Sequence, residues 1–151
     1  MDAQFQDGAD QPLRLIAQRA EDVPVLSALL QDAVFPLAEM TWDRRRRRFA
    51  LMVNRFRWED RDAAEAGRRG YERVQAVLVV EGVMSVKSQG IDRGDREMVL
   101  SVLSLTHSDG RLTLTLAGDG AIALQVEALD LSLQDVTRPY LAPSGKVPVH
   151  E

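Results

Sequence analysis

The densest concentration of reactive side chains in this sequence is a run of arginines. Residues 42–62, WDRRRRRFALMVNRFRWEDRD, hold eight arginines interleaved with Phe49, Phe56 and Trp58. The guanidinium is a planar fork of N–H donors that fits a carboxylate or a phosphate. Arg47, Arg48, Arg55 and Arg57 are therefore the candidate anion-binding residues, with single-stranded nucleic acid or a phosphorylated small molecule as the ligand class. The interleaved aromatics could offer stacking surfaces to bases. Two features weigh against nucleic acid. Aromatics make up only 5% of the chain, so the core needs these rings, and the isoelectric point of about 5.2 is far below that of a nucleic-acid-binding domain. The first reading therefore pairs these arginines with carboxylates such as Glu59, Asp60, Glu72 or Asp130, or with an acidic protein partner.

Other groups are weaker candidates. Gly118-Asp119-Gly120-Ala121-Ile122-Ala123 matches G-x-G-x-x-A, but a dinucleotide site needs a helix after the glycines. The residues that follow alternate with period two, so a hairpin turn is expected. Asp92, Asp95 and Glu97 place three carboxylates within six residues, yet the spacing is not that of a calcium-binding loop, and a solvated turn is preferred. Arg93-Gly94-Asp95 reads as a coincidence in a chain with no secretion signal. Of the two histidines, His107 lies near Ser104, Ser108 and Asp109, and His150 lies in the tail. No G-x-S-x-G elbow accompanies them, so a serine triad is a minor reading. No catalytic residue, metal ligand or cofactor is assigned, and the expectation leans away from an enzyme.

The elements that would position these side chains follow from periodicity. LRLIAQ from Leu13 reads as a strand. In AEDVPVLSALLQDAV, Val23, Leu26, Leu29, Leu30 and Ala33 recur at helical spacing behind Asp22 as N-cap, and Pro36 is expected to end the helix. Residues 37–42 and 47–58 read as strands joined by a turn at 43–46. Phe49, Leu51 and Val53 share one face, whereas Phe56 and Trp58 fall on the other phase. A β-bulge near Asn54 or Arg55 would bring both aromatics back to the core and leave Arg48 and Arg57 in solvent. Residues 60–70 form a charged, partly helical connection. The apolar stretch 71–91 is too long for one strand and should bend at Glu81-Gly82. Turns at 108–110 and 118–120 then separate alternating strands in a meander.

The chain has 151 residues, 45% hydrophobic and 28% charged, enough for one core. The expected fold is α+β: a single domain, mainly antiparallel β, of about seven to eight strands in a curved or barrel-like sheet, with one N-terminal amphipathic helix. The domain is expected over residues 12–137, between a disordered leader at 1–11 and a proline-containing tail at 138–151. With no cysteine, disulfides, cysteine-ligated zinc, iron–sulfur clusters and thiol nucleophiles are excluded. That fits a reducing cytoplasm, and neither a signal peptide nor a membrane span is evident. Net charge is −4, but residues 44–73 carry eleven basic against five acidic side chains, leaving eight against eighteen elsewhere. This is a basic island in an acidic body.

The segments LRLIAQRAEDVPVLSALLQDAV, RRFALMVNRFRWE, VMSVKSQGI and GAIALQVEALDLSLQD together resemble an uncharacterised family found mainly in alphaproteobacteria, domain of unknown function 2948. The resemblance runs from about Leu13 to Asp135, and FALMVNRFRWE is its most specific part. It implies a bacterial cytoplasmic protein of one compact domain and carries no activity, cofactor or catalytic residue. The functional expectation is a non-catalytic binding or protein-interaction domain, as a homodimer or with an acidic protein partner; the alternative is the arginine-rich hairpin as an anion-binding module.

Overall fold

The computed structural model describes residues 12–67 and 71–141; the expected leader at 1–11, Arg68, Arg69 and His150 lie outside them. Eleven strands form in chain order: β1 Arg14–Ala17, β2 Val34–Pro36, β3 Met40–Asp43, β4 Arg48–Phe56, β5 Glu72–Val80, β6 Val83–Gln89, β7 Val99–Ser108, β8 Arg111–Leu116, β9 Gly120–Val126, β10 Leu131–Asp135 and β11 Tyr140–Leu141. Two short helices, α1 Val23–Leu30 and α2 Arg61–Ala66, accompany them. The fold is thus mainly antiparallel β, as expected, but with eleven strands in place of seven or eight and a second helix. The strand order is β1-β10-β5-β4-β2-β7-β8-β9-β6, with β3 paired to β4 and β11 to β5, and every pairing is antiparallel.

The sheet is curled but not closed, so the barrel expectation is corrected. Its path ends at β1 and β6 without a bond between them. Curling is forced by the chain itself: β5 runs into β6 across the bend at Glu81-Gly82, where Gly82 takes φ 68°, although the two strands lie far apart in the sheet order. Bulges between Val83 and Ser85 and between Val102 and Ser104 add curvature. The inner faces of both halves meet in one cluster that includes Phe35, Phe49, Leu51, Val53, Leu78, Leu112, Leu124 and Leu133. Each such side chain contributes about 1.5–3 kcal/mol by burial.

Helix α1 closes the open side of β7. Val23, Leu26 and Leu30 are buried in the shared core. The Ser27 hydroxyl accepts the Leu105 N–H at 3.0 Å, supplying a partner beside the β7 bulge. Pro24 sits in the first turn, where its missing N–H costs nothing. The helix ends at Leu30, well before Pro36, because Gln31 leaves the helical region at ψ 131° and Asp32 follows in the left-handed region at φ 65°, a turn closed by the Ala33 N–H on the Leu30 carbonyl at 2.9 Å that starts the chain toward β2. Pro36 instead closes that strand.

The bulge expected near Asn54 is absent. β4 pairs with β5 without a register break from Phe49↔Val80 to Phe56↔Arg73. The position that continues Phe49, Leu51 and Val53 into the core is occupied by Arg55, not by an aromatic ring. Phe56 is buried on the other phase, outside the main cluster. Trp58 has left the strand for a 3-10 turn, Trp58–Asp60. The two rings meet edge to face at 4.6 Å, and Tyr71 packs on Phe56 at 5.9 Å. The indole N–H of Trp58 donates to the Gln31 carbonyl at the end of α1, 2.9 Å away, which ties this satellite cluster to the helix.

Candidate functional site

The arginines of residues 44–57 divide into two groups at opposite ends of β4. At the start of the strand, Arg47 occupies the turn with φ 54° rather than beginning the strand. Its carbonyl accepts the Val83 N–H at 2.8 Å, and its guanidinium binds Glu127. Arg48 forms a two-pronged bridge to Glu81, Nε to Oε1 at 2.7 Å and Nη2 to Oε2 at 3.2 Å. The Glu81 hydrogen bond and charge hold the Arg48 guanidinium above its ordinary pKa. Both arginines therefore fasten the β3–β4 turn to the bend between β5 and β6.

At the far end of β4, Arg55 and Arg57 are buried. Arg55 is completely enclosed, and each of its five N–H bonds has an acceptor. Nε and Nη2 bind the two oxygens of Asp135, both at 3.0 Å. Nη1 and Nη2 bind the two oxygens of Glu59 at 2.9 and 2.6 Å, and Nη1 also meets the Phe56 carbonyl at 3.3 Å. Asp135 accepts in addition the Leu13 N–H at 2.9 Å, pinning the entry to β1. Burial alone would lower the Arg55 pKa, but the hydrogen bonds and charges of Glu59 and Asp135 outweigh it and raise it. Burial alone would likewise raise the Glu59 carboxyl; the Arg55 hydrogen bond and charge hold it below its ordinary range. Arg57 pairs with Glu72 across the strands and lies 3.8 Å from Asp60, so the expectation that it points to solvent is corrected. Beside them, Arg73 Nη1 donates to the Asn54 side chain at 3.1 Å, and Asn54 binds the Tyr140 hydroxyl.

The four candidate arginines do not share a cavity. Arg48 and Arg55 are seven residues apart on one strand, roughly 23 Å at about 3.3 Å per residue. Of the carboxylates named from sequence, Glu59, Asp60 and Glu72 do meet arginines, whereas the Asp130 carboxylate accepts from Gln18, at 3.5 Å. Asp135, Glu81 and Glu127 were missed. For Asp135 a signal existed: it continues the buried phase of Leu131 and Leu133, just as Arg55 continues that of Val53.

The remaining candidates separate. His107 faces Leu112 and so points inward, while Ser104 and Ser108 pair with Thr115 and Arg111 on the outer face; strand alternation keeps the hydroxyls away from the imidazole. Gly118 and Asp119, at φ 81° and 66°, form the β8–β9 hairpin turn as expected. Asp92 is spent on its own loop, where its carboxylate accepts the Gly94 N–H at 3.0 Å. Among the described residues, no group of three acidic, histidine or cysteine side chains is placed to hold a metal ion. None of their helices is long and apolar enough to cross a membrane.

The outer side of the first half of the sheet is different in character. Val34, Pro36, Met52 and Val99 surround a groove of about 550 Å3 with Val136 at its rim. Val99 is 65% and Val136 49% exposed. The uncharged Asn54, Gln75 and Thr137 flank the groove, and its lining holds one charge, Glu39.

An open, curled antiparallel sheet whose charged core positions are neutralised internally, with an apolar groove on the outer side of its first half, defines a small β-domain. The chain belongs to the family described as "Protein of unknown function (DUF2948)", which matches residues 13–150. No curated protein and no solved structure matches it.

Proposed function

We propose that this protein is a non-catalytic interaction domain that works as a homodimer in the cytoplasm, two copies meeting through the outer face of β2, β4 and β7. The observation that carries the reading is the exposed apolar groove around Val99, Met52 and Val34. Contiguous apolar surface of this kind marks association sites. The lining holds no cation to attract an acidic partner, and an apolar, nearly neutral patch is self-complementary, as a two-fold interface requires. The absence of cysteine fits the reducing compartment.

Sedimentation equilibrium tests this. The full-length chain is expected to sediment as a dimer and Val99→Lys as a folded monomer whose melting temperature, unlike that of the wild type, does not change with protein concentration. A strictly monomeric wild type at tens of micromolar overturns the reading.

The second reading, an anion held by Arg47, Arg48, Arg55 and Arg57, has less in its favour. Each of the four already binds a carboxylate, so an incoming anion must displace one.

A further inference from the structure

The outer face of the second half of the sheet is the chemical opposite of the apolar groove, and its composition is set by register. β6, β9, β8 and β7 pair so that Ser85 faces Gln125, Gln125 faces Arg111, Lys87 faces Ala123 and Ala123 faces Thr113. The inward positions between them are Val86, Leu124 and Leu112, which close on the core. From Ser85 on β6 to Ser108 on β7, the outward positions hold serine, threonine, glutamine, alanine, Lys87 and Arg111. They include no aspartate or glutamate and no aromatic ring. In a chain with 23 acidic residues, an acid-free sheet face leaves its two cations unneutralised by neighbours.

Those two cations are also uncommitted. The side chains of Lys87 and Arg111 make no ion pair or hydrogen bond among the described residues, in contrast to Arg47, Arg48, Arg55 and Arg57. They stand on β6 and β8, on either side of β9 and two residues out of line along it, so their Cα atoms lie about 12 Å apart by strand spacing. Between them Ala121 and Ala123 keep the floor low, and a groove of about 330 Å3 opens there, bordered by Ser85, Gln89 and Gln125. That volume lies within the range of small-molecule sites.

We propose that this groove binds a small organic phosphate. Its oxygens meet the Arg111 fork on one side and the Lys87 ammonium on the other, with hydroxyl and amide donors from Ser85 and Gln125. A phosphate dianion presents several acceptor oxygens, and charge-assisted bonds to arginine and lysine are the strongest the face can offer. Without an aromatic platform the face has nothing on which bases stack, so the ligand is a phosphorylated small molecule rather than a nucleic acid strand. The site is separate from the apolar groove, and its fate is independent of the dimer reading.

Calorimetric titration of the full-length protein with inorganic phosphate and with glucose 6-phosphate tests the proposal, using sodium acetate as the control anion. Saturable binding of the phosphates is expected, weakened at least tenfold in the double variant Lys87→Gln/Arg111→Gln and unchanged in Arg47→Gln/Arg48→Gln. Both substituted pairs are exposed, and an unchanged melting temperature in the absence of ligand verifies that each variant folds. Three outcomes overturn the proposal: no saturable binding of either phosphate, equal loss in the two double variants, or capture by phosphatidylserine vesicles with no binding of the soluble phosphates.

Discussion

Arg55 and Asp135 are eighty residues apart in sequence and meet across β5 by two hydrogen bonds of 3.0 Å, with both side chains buried. The strands that carry them, β4 and β10, flank β5 on opposite sides. The register places Asp135 opposite Ala76 and Arg55 opposite Val74, so the small Ala76 side chain leaves room for the guanidinium to reach over the strand. Glu59 and the Phe56 carbonyl complete the acceptor set. The pair therefore joins three strands and, through the Leu13 N–H, the start of a fourth.

Taking one member away leaves the other as a buried charge without its counter-ion. Arg55→Met is expected to destabilise the protein by about 3–5 kcal/mol, the range for breaking a buried pair. The double variant Arg55→Met/Asp135→Leu is expected to recover only part of that loss, because two apolar side chains replace two desolvated charges while Glu59 and the Leu13 N–H still lose their partners. Arg48→Gln, at the exposed bridge to Glu81, is expected to leave the denaturation midpoint near wild type. Urea unfolding of the variants checks all three. A midpoint for Arg55→Met equal to that of Arg48→Gln would refute the account of Arg55 as a core residue.

The legible parts of the sequence were those where polarity and burial agree. The meander from β7 to β9, its two turns and the bend at Glu81-Gly82 all follow from alternation and from Gly and Asp at turn positions. The resemblance to the family was legible largely in other segments, above all FALMVNRFRWE in β4. Arg55 and Asp135 were not, because a charge in a strand reads as an outward position. The out-of-phase Phe56 and Trp58 then demanded a bulge that the chain does not make. The resolution needed two facts a single strand does not contain: a charge of opposite sign in the core phase of another strand, and a helical connection at 58–66 that buries Phe56 on its own side. The ends of α1 were half legible. Asp22 and Pro24 mark the start, but the stop at Leu30 depends on Gln31 leaving the helical region and on Asp32 adopting positive φ, which an aspartate does only in some contexts. The outer phosphate face was invisible for a different reason: Lys87 and Arg111 are unremarkable singly and become neighbours only once β6 and β8 are seen to flank β9.

The Glu59 carboxyl gives the fold an acid-sensitive contact. Its pKa is lower in the folded protein than in the unfolded chain, where it is about 4.3. The unfolded state therefore binds the proton first as pH falls. The stabilisation from this group is complete above the unfolded value and is lost as pH drops through the folded one. Urea midpoints measured from pH 7 to pH 3 are expected to fall over the lower part of that range, with a shallower fall in Glu59→Gln. An identical acid profile in wild type and variant would remove Glu59 from the explanation.

Two glycines with similar backbone angles should differ sharply when replaced. Gly90, at the end of β6, and Gly118, in the β8–β9 turn, both take positive φ, 69° and 81°, so alanine at either position incurs left-handed strain of about 1–2 kcal/mol. At Gly118 that strain is the whole cost, because an added Cβ has open space around it. At Gly90 the added Cβ would sit 2.6 Å from the Asp119 carbonyl oxygen and 3.1 Å from the Gly120 Cα. Both contacts are to backbone, which cannot swing aside as a flexible side chain can. Gly90→Ala must therefore push β6 away from the β8–β9 turn, and because the displaced strand carries Lys87, the damage is expected to spread beyond stability. Thermal unfolding should place Gly118→Ala a few degrees below wild type and Gly90→Ala well below Gly118→Ala. Phosphate titration of Gly90→Ala, below its melting temperature, should show weakened binding while Gly118→Ala retains it. Equal melting temperatures for the two variants would mean that β6 and the turn are not packed as closely as the 2.6 Å approach requires.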